Sequence, residues 1–298
     1  MLNNKIFSGI AALGMMLLGM ASCDDIDEAE RVTQGESETM LVMPEEVTAE
    51  IDGETFAYLD QHMLLIEDFT GWNCVNCPTI ADYLTTQITK NFPSVLVSLH
   101  MTTNSFSKGH PDGYNCASAD SIANMLYGSA VASQLPLPSV AIDQVATEDG
   151  ISTSNTTLLG KLALERFAAF NIEKSAPQVG VAINVTDKGG DSYAISTYVN
   201  CPLSNYNLKL WLIEEGLISR VQNSTSGYLR DYENHGILRM VINGDCRGEN
   251  LSKDEHLMRH NLNISGKGYK AENCRVVAIV SDATTNEVLN CAEVELVK

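Results

Sequence analysis

Positive charge is scarce in this chain. Its 298 residues hold 19 Lys and Arg against 38 Asp and Glu, a formal net charge of −19. That balance excludes nucleic acid as a partner, because neutralising phosphates takes clustered basic side chains. Long apolar runs are scarce too: beyond the first 22 residues none is long enough to form a transmembrane helix. There is no Gly-x-Ser-x-Gly, so hydrolysis by an elbow-mounted serine has no local support. A single Cys-x-x-Cys is present, without a second one, which argues against a zinc knuckle. No cofactor or metal is assigned from these patterns.

What is present begins with Lys5, the apolar stretch from Ile10 to Met20, and the small residues Ala21-Ser22 ahead of Cys23. Residues 1–22 read as an export signal, too short to cross a bilayer comfortably. Small residues directly before a cysteine resemble a bacterial lipobox, which implies a lipid on Cys23 and membrane attachment through it. An ordinary cleaved secretory signal is the alternative. Removing residues 1–22 leaves 18 basic and 38 acidic residues, a charge of −20. Asp24-Asp25-Ile26-Asp27-Glu28 resembles the acidic signal that sends some Bacteroidota-type lipoproteins to the outside of the outer membrane, and it reads equally as a solvated spacer. Residues 23–39 are expected to form an acidic tether.

The remaining length and a change of pattern suggest two domains. Strands alternate with helices over residues 40–174, short alternating strands dominate residues 176–298, and Ser175-Ala176-Pro177 falls between them. Residues 47–51 with the turn signal Asp52-Gly53 look like a preliminary strand or hairpin. Leu64 to Phe69 is an apolar, strand-like run broken at Thr70-Gly71 and followed by Cys74-Val75-Asn76-Cys77-Pro78. Ile80, Leu84 and Ile88 then mark a helix ending before Pro93, which puts the cysteines at a helix N-terminus. Unpaired N–H groups and the helix dipole there would favour a thiolate at Cys74. A structural clip is the plainer reading of the same pair.

Residues 94–99 read as a strand parallel to the first, and residues 101–116 as a loop at its C-terminal end. In that loop region His100, His110 and Cys116 form a metal-binding alternative with soft ligands. A helix over residues 118–130 follows, then Pro136 and Pro138 opening a strand, then a helix over residues 156–170 with Asn155 as its N-cap.

This order of elements resembles the thioredoxin fold over about residues 60–172. Carried over residue by residue, the resemblance implies Cys74 as nucleophile, Cys77 as the resolving thiol, Pro138 as the cis-proline that holds substrate backbone, and Asp68 as the buried acid. The six-residue offset from Asp68 to Cys74 matches. Trp72-Asn73-Cys74 departs from it, since most thioredoxins have Trp directly before the first cysteine. More narrowly, Glu67 to Trp72 with the two cysteines, the lipobox and an all-β tail resemble the outer-membrane-protein-twenty-eight lipoproteins of Bacteroidota, a likeness that would cover nearly the whole mature chain.

From residue 176 onward at least seven strands alternate, beginning with a hairpin around Lys188-Gly189-Gly190-Asp191 and ending with one around Ala283-Thr284-Thr285. An antiparallel, immunoglobulin-like sandwich is expected. With Cys23 lipidated and Cys74 paired to Cys77, five cysteines remain: Cys116, Cys201, Cys246, Cys274 and Cys291. Register counting puts Cys274 three residues from the position opposite Cys291, against a bond between them. Residues 228–235 read as a polar-aromatic loop.

The combined expectation is an α/β thioredoxin-like domain followed by an all-β sandwich, anchored to the outer membrane at its periplasmic or cell-surface face. Its partners would be exported or surface proteins that exchange disulfides with Cys74 and Cys77. The rival is a non-enzymatic surface binding or adhesion protein in which the pair is a permanent clip.

Overall fold

The computed structural model describes residues 45–128, 131–145, 158–174 and 179–297. The signal peptide, Cys23, the acidic tether, Asn155 and the boundary at Ser175-Pro177 lie outside the described residues.

The chain opens with β1 (Glu46–Ile51) and β2 (Glu54–Leu59), paired antiparallel across Asp52 and Gly53, both of which have positive φ. β3 (Leu64–Thr70) is buried at every position, Glu67 and Asp68 included, as a strand covered on both faces is. The helix that follows is α1 (Cys77–Tyr83), a π-helical turn over Leu84–Ile88, and α2 (Thr89–Asn91). Thr85, Thr86 and Thr89 each donate to the carbonyl four residues back, at Ala81 (2.9 Å), Asp82 (2.7 Å) and Thr85 (2.8 Å). Hydroxyls competing in this way loosen an α-helical ladder, and the π turn lies among them. β4 (Ser94–His100) then pairs parallel with β3 in full register from Leu64↔Ser94 to Thr70↔His100. After α3 (Ala117–Tyr127), β5 (Ser139–Ile142) pairs antiparallel with β3 on its other side, and α4 (Leu158–Lys174) follows.

The later part is all strand except for one 3-10 turn. β6 (Gly180–Gly189), β7 (Ser192–Asn200) and β8 (Asn205–Glu214) are succeeded by four three-residue strands, β9 (Leu217–Ser219), β10 (Gln222–Ser224), β11 (Gly227–Leu229) and β12 (Tyr232–Asn234). β13 (Ile237–Val241), β14 (Glu249–Ser252), β15 (Leu257–Asn263), β16 (Cys274–Asp282) and β17 (Val288–Glu295) complete the chain.

Two sheets stack like a sandwich. The large one has the order β17-β16-β8-β13-β4-β3-β5, with β14 also on β8, and the small one is β15-β7-β6. Leu208, Leu210 and Leu212 of β8, with Val276 and Ala278 of β16, pack against Val181 and Ile195 of the small sheet. Trp211 and Ile213, on the opposite face, join Leu65, Phe69, Val95, Val97 and Leu99 in a second core under α3. A third core, Leu64, Ile66, Ile80, Leu84, Ile88, Val140 and Leu164, lies under α1 and α4. This is the period of two expected of strands buried on both faces.

Three arrangements differ from the sequence reading. The strands assigned to two separate domains join one sheet: β13 pairs parallel with β4 at Ile237↔Ser98, and the described residues cluster as one compact unit. That contact rests on a single register pair, which no sequence period announces. The first hairpin packs on the small sheet, with Phe56 stacked on Tyr198 at 5.7 Å. A Cβ on Gly180 of β6 would lie 2.4 Å from the Tyr58 ring, so a larger residue there would displace that ring. Residues 228–235 are not a loop, because β9 pairs with β12 and β10 with β11 as nested hairpins.

Cys116, Cys201, Cys246, Cys274 and Cys291 are free. Cys291 lies opposite Ile279, five residues from Cys274 where counting expected three: a bulge between Val280 and Ser281 shifts the register by one residue, and the turn's position along the chain supplies the other. The large sheet also curls until its ends meet. Val288 N–H donates to the Asp143 carbonyl (2.7 Å), and Met63 N–H to Asn290 Oδ1 (2.8 Å).

Candidate functional site

Gly71 ends β3 and turns the chain into the Cys-x-x-Cys loop. A Cβ there would meet the Phe106 carbonyl oxygen at 2.4 Å, so the loop can lie against residues 104–108 only because this residue is glycine. Asn73 N–H donates to that carbonyl (3.0 Å), and the Trp72 indole donates to the Lys108 carbonyl (3.1 Å). Trp72, displaced by one residue from the place directly before the cysteine, thus anchors the loop sideways. Cys74 N–H closes a turn back to Gly71 O (3.1 Å).

Cys74 and Cys77 form a disulfide with Cα atoms 5.4 Å apart. Cys77 is the first residue of α1 and Asn76 its N-cap; Pro78, in the first turn, gives up an N–H that would have no helical partner anyway. Cys74 is 2 % and Cys77 1 % exposed, whereas Val75 between them is 42 % exposed. The Leu137–Pro138 bond is cis, and Ser139, the next residue, pairs with Phe69 two residues before Gly71.

Asp68 is buried in β3 on the face toward α1, with no hydrogen-bond partner at Oδ1, and burial pushes its carboxyl up to about 7. It lines a cavity of about 10 Å³ with Thr70, Ser98, Gln222, Tyr232 and His235. The Tyr232 phenol is raised by burial and by the Asp68 charge. Thr85, Leu96 and His235 also border a groove of about 520 Å³ lined by Glu215, Glu233, Glu272, Glu293 and Glu295. His235 lies 3.8 Å from Glu215, and that carboxylate raises its pKa.

The structure separates the other candidates. The His100 and His110 rings meet edge to face at 5.4 Å, and burial lowers them to about 3 and about 4. The Cys116 thiol instead donates to the Arg239 carbonyl (3.3 Å), and among the described residues no group of three His, Cys, Asp or Glu is disposed to hold a metal.

Two features escaped the sequence reading. On the far face of β3, Glu67 accepts from Gln144 (2.8 Å), whose carbonyl accepts from Lys209 Nζ (2.6 Å). Burial raises Glu67 to about 7 and lowers Lys209 to about 8. The visible signal was a lysine inside the apolar run Leu208-Lys209-Leu210. The second is that residues from the later part of the chain dock on the Cys-x-x-Cys loop. Asn223 N–H donates to the Trp72 carbonyl (2.7 Å), the Gln222 amide to Gly71 O (3.1 Å), and the Asn223 amide to Asn73 Oδ1 (3.3 Å).

Residues 136–298 match a family described as Outer membrane protein Omp28. The matched span includes Pro138 and begins after Asp68, Cys74 and Cys77. Among solved structures, HBP35 of Porphyromonas gingivalis is similar in fold: 13% identity, TM-score 0.60, covering 80% of this chain and 76% of that one. A domain of the outer membrane lipoprotein Omp28 from Porphyromonas gingivalis matches at 18% identity over 40% of this chain and 87% of its own, with a TM-score of 0.29. No curated protein matches in sequence.

Proposed function

The chain belongs to the Omp28 family of outer membrane proteins, and from its lipid-anchored place in that membrane we propose that its thioredoxin-like segment exchanges disulfides with exported or surface proteins. The observation that carries this reading is the Cys74–Cys77 disulfide at the start of α1, with the buried Asp68 lining a small cavity against Ala81 of the same helix. In the reduced protein a Cys74 thiolate would attack a substrate disulfide, forming a mixed disulfide and releasing one substrate thiolate. Cys77 would then attack the Cys74 sulfur, releasing the second substrate thiolate and leaving the Cys74–Cys77 bond. Two electrons pass from the cysteine pair to the substrate, and the reverse sequence oxidises a substrate dithiol.

Asp68, protonated up to about pH 7, would give or take the proton that accompanies Cys77. Pro138 would hold substrate backbone, as the resemblance implies. The immunoglobulin-like sandwich formed around β6, β7, β8, β16 and β17 would contact the partner, and lipid on Cys23 would hold the protein at the membrane. The test is a disulfide-exchange assay on the mature chain with an oxidised protein substrate. Cys74→Ser is expected to abolish turnover, and unchanged turnover would refute the reading.

The near-complete burial of both sulfurs favours a second reading, a non-enzymatic binding protein with a permanent clip. A reduction potential well below that of a glutathione pool would support it.

A further inference from the structure

The Cys-x-x-Cys loop lies at the surface, yet its sulfurs are shut off. Val75 and Asn76 are exposed while Cys74 and Cys77 are 2 % and 1 % exposed; Cys77 shares the inward face of α1 with Ile80 and Leu84, and the loop ahead of it carries segments fastened across it.

Two segments are fastened to the loop, and they are built differently. Residues 104–108 are tied into the body of the protein: the buried Asn104 amide donates to the carbonyls of Ala132 (3.0 Å) and Leu135 (2.8 Å). The β10–β11 hairpin has no such roots. Among the described residues, its hydrogen bonds beyond itself are the three from Gln222 and Asn223 to Gly71, Trp72 and Asn73. Thr225, Ser226, Gly227 and Tyr228 at its tip are exposed, Tyr228 by 64 %. An isolated two-stranded hairpin is marginal in water. Its base, by contrast, is firm. The β9–β12 pair beneath it is held by the Tyr114 hydroxyl on Ile218 O (2.9 Å) and by the Asn234 amide on Leu217 O (2.9 Å) and Ser219 Oγ (2.8 Å). A free tip on a fixed base, latched at one end of the disulfide loop, has the construction of a flap.

We propose that the β10–β11 hairpin is a cover over the Cys74–Cys77 disulfide, latched by Gln222 and Asn223, which must lift before a thiol can reach either sulfur. The regulatory sense of this rests on the exchange reading above: a partner protein would have to displace the hairpin, so the hairpin and not the disulfide alone would select what is exchanged.

The test follows reduction of the mature chain by dithiothreitol. One dithiothreitol thiolate attacks a protein sulfur and expels the other as thiolate; its second thiolate then releases the protein dithiol and cyclises to the oxidised reagent. With a cover, the rate is expected to level off at high reagent concentration, at the rate of lifting. Asn223→Pro deletes the N–H that points to Trp72, away from the partner strand β11, at an edge position that tolerates proline. The substitution also removes the side-chain amide that donates to Asn73, and losing these two of the three latch bonds is expected to raise the reduction rate about tenfold or more. A wild-type rate that stays linear to the highest reagent concentration, at the speed of an exposed small-molecule disulfide, would overturn the proposal, as would an Asn223→Pro protein that is folded and reduced no faster. If Asn223→Pro does not fold, the wild-type saturation curve decides alone. Saturation in a protein that turns over no protein substrate would sustain the cover and refute the exchange reading, so the two fail separately.

Discussion

Asp68→Asn is expected to make the protein more stable, by an amount that grows with pH. Asp68 is 1 % exposed, and desolvation holds its carboxyl at about 7 against an ordinary value of 3.8, a rise of about three pH units. A folded-state pKa raised above the unfolded value means that the native state keeps a proton the unfolded chain has released. Below about pH 4 both states are protonated and the site has no pH-dependent cost. Between about 4 and about 7 stability falls by about 1.4 kcal/mol per pH unit, and above about 7 the full penalty of about 4 kcal/mol applies. Asn cannot ionise, so the variant removes that slope. Urea unfolding of the oxidised wild-type and Asp68→Asn proteins at pH 4, 6 and 8 measures it. The difference in unfolding free energy should be small at pH 4, about two-thirds developed at pH 6 and about 4 kcal/mol at pH 8. Glu67 also titrates near neutrality but is present in both proteins, so the comparison cancels it to first order. A difference that is the same at all three values would show that Asp68 is not held protonated by burial.

Lys209→Met removes the cation facing Glu67 through Gln144; it should cost about 3 kcal/mol, and the Glu67→Gln/Lys209→Met pair should recover most of that in the same unfolding assay. Gly71→Ala drives a Cβ to within 2.4 Å of the Phe106 carbonyl oxygen and should destabilise by about 2 kcal/mol or more, with a lowered melting temperature as the readout. Asn290→Ala leaves Met63 N–H and the carbonyls of Gln61 and Val179 without their partner where the large sheet closes. A loss of about 2 kcal/mol in unfolding free energy is expected.

The parts of the fold legible in the sequence are those governed by a local period or a local sterical rule. β7 alternates in burial after a glycine turn, β3 and β4 are short runs rich in Leu, Ile and Val, and Pro138 falls one residue before β5. The pairing of Ile237 with Ser98 is different in kind. It depends on two segments well over a hundred residues apart meeting edge to edge, and a parallel contact of one residue pair leaves no pattern in either. The short strands β9 to β12 were hidden for a related reason, since three residues are too few to show a period of two.

At the candidate site, the spacing of Asp68, Cys74 and Cys77 could be read directly, but their surroundings could not. Gln222 and Asn223 are about 150 residues from the loop they hold, and the sequence marks them only as polar residues in a polar stretch. Lys209 was visible as an interruption in an apolar strand. Its partner Gln144 follows β5, and only the curling of the large sheet brings the two together.

The central claim is tested most directly by trapping. Cys77→Ser expressed in its native outer membrane leaves Cys74 able to attack and nothing to resolve the product. The account predicts mixed disulfides between Cys74 and exported proteins, separable under non-reducing conditions and absent from the Cys74→Ser/Cys77→Ser control. If Cys77→Ser traps no more protein than that double variant, Cys74 does not exchange disulfides and the pair is a structural clip.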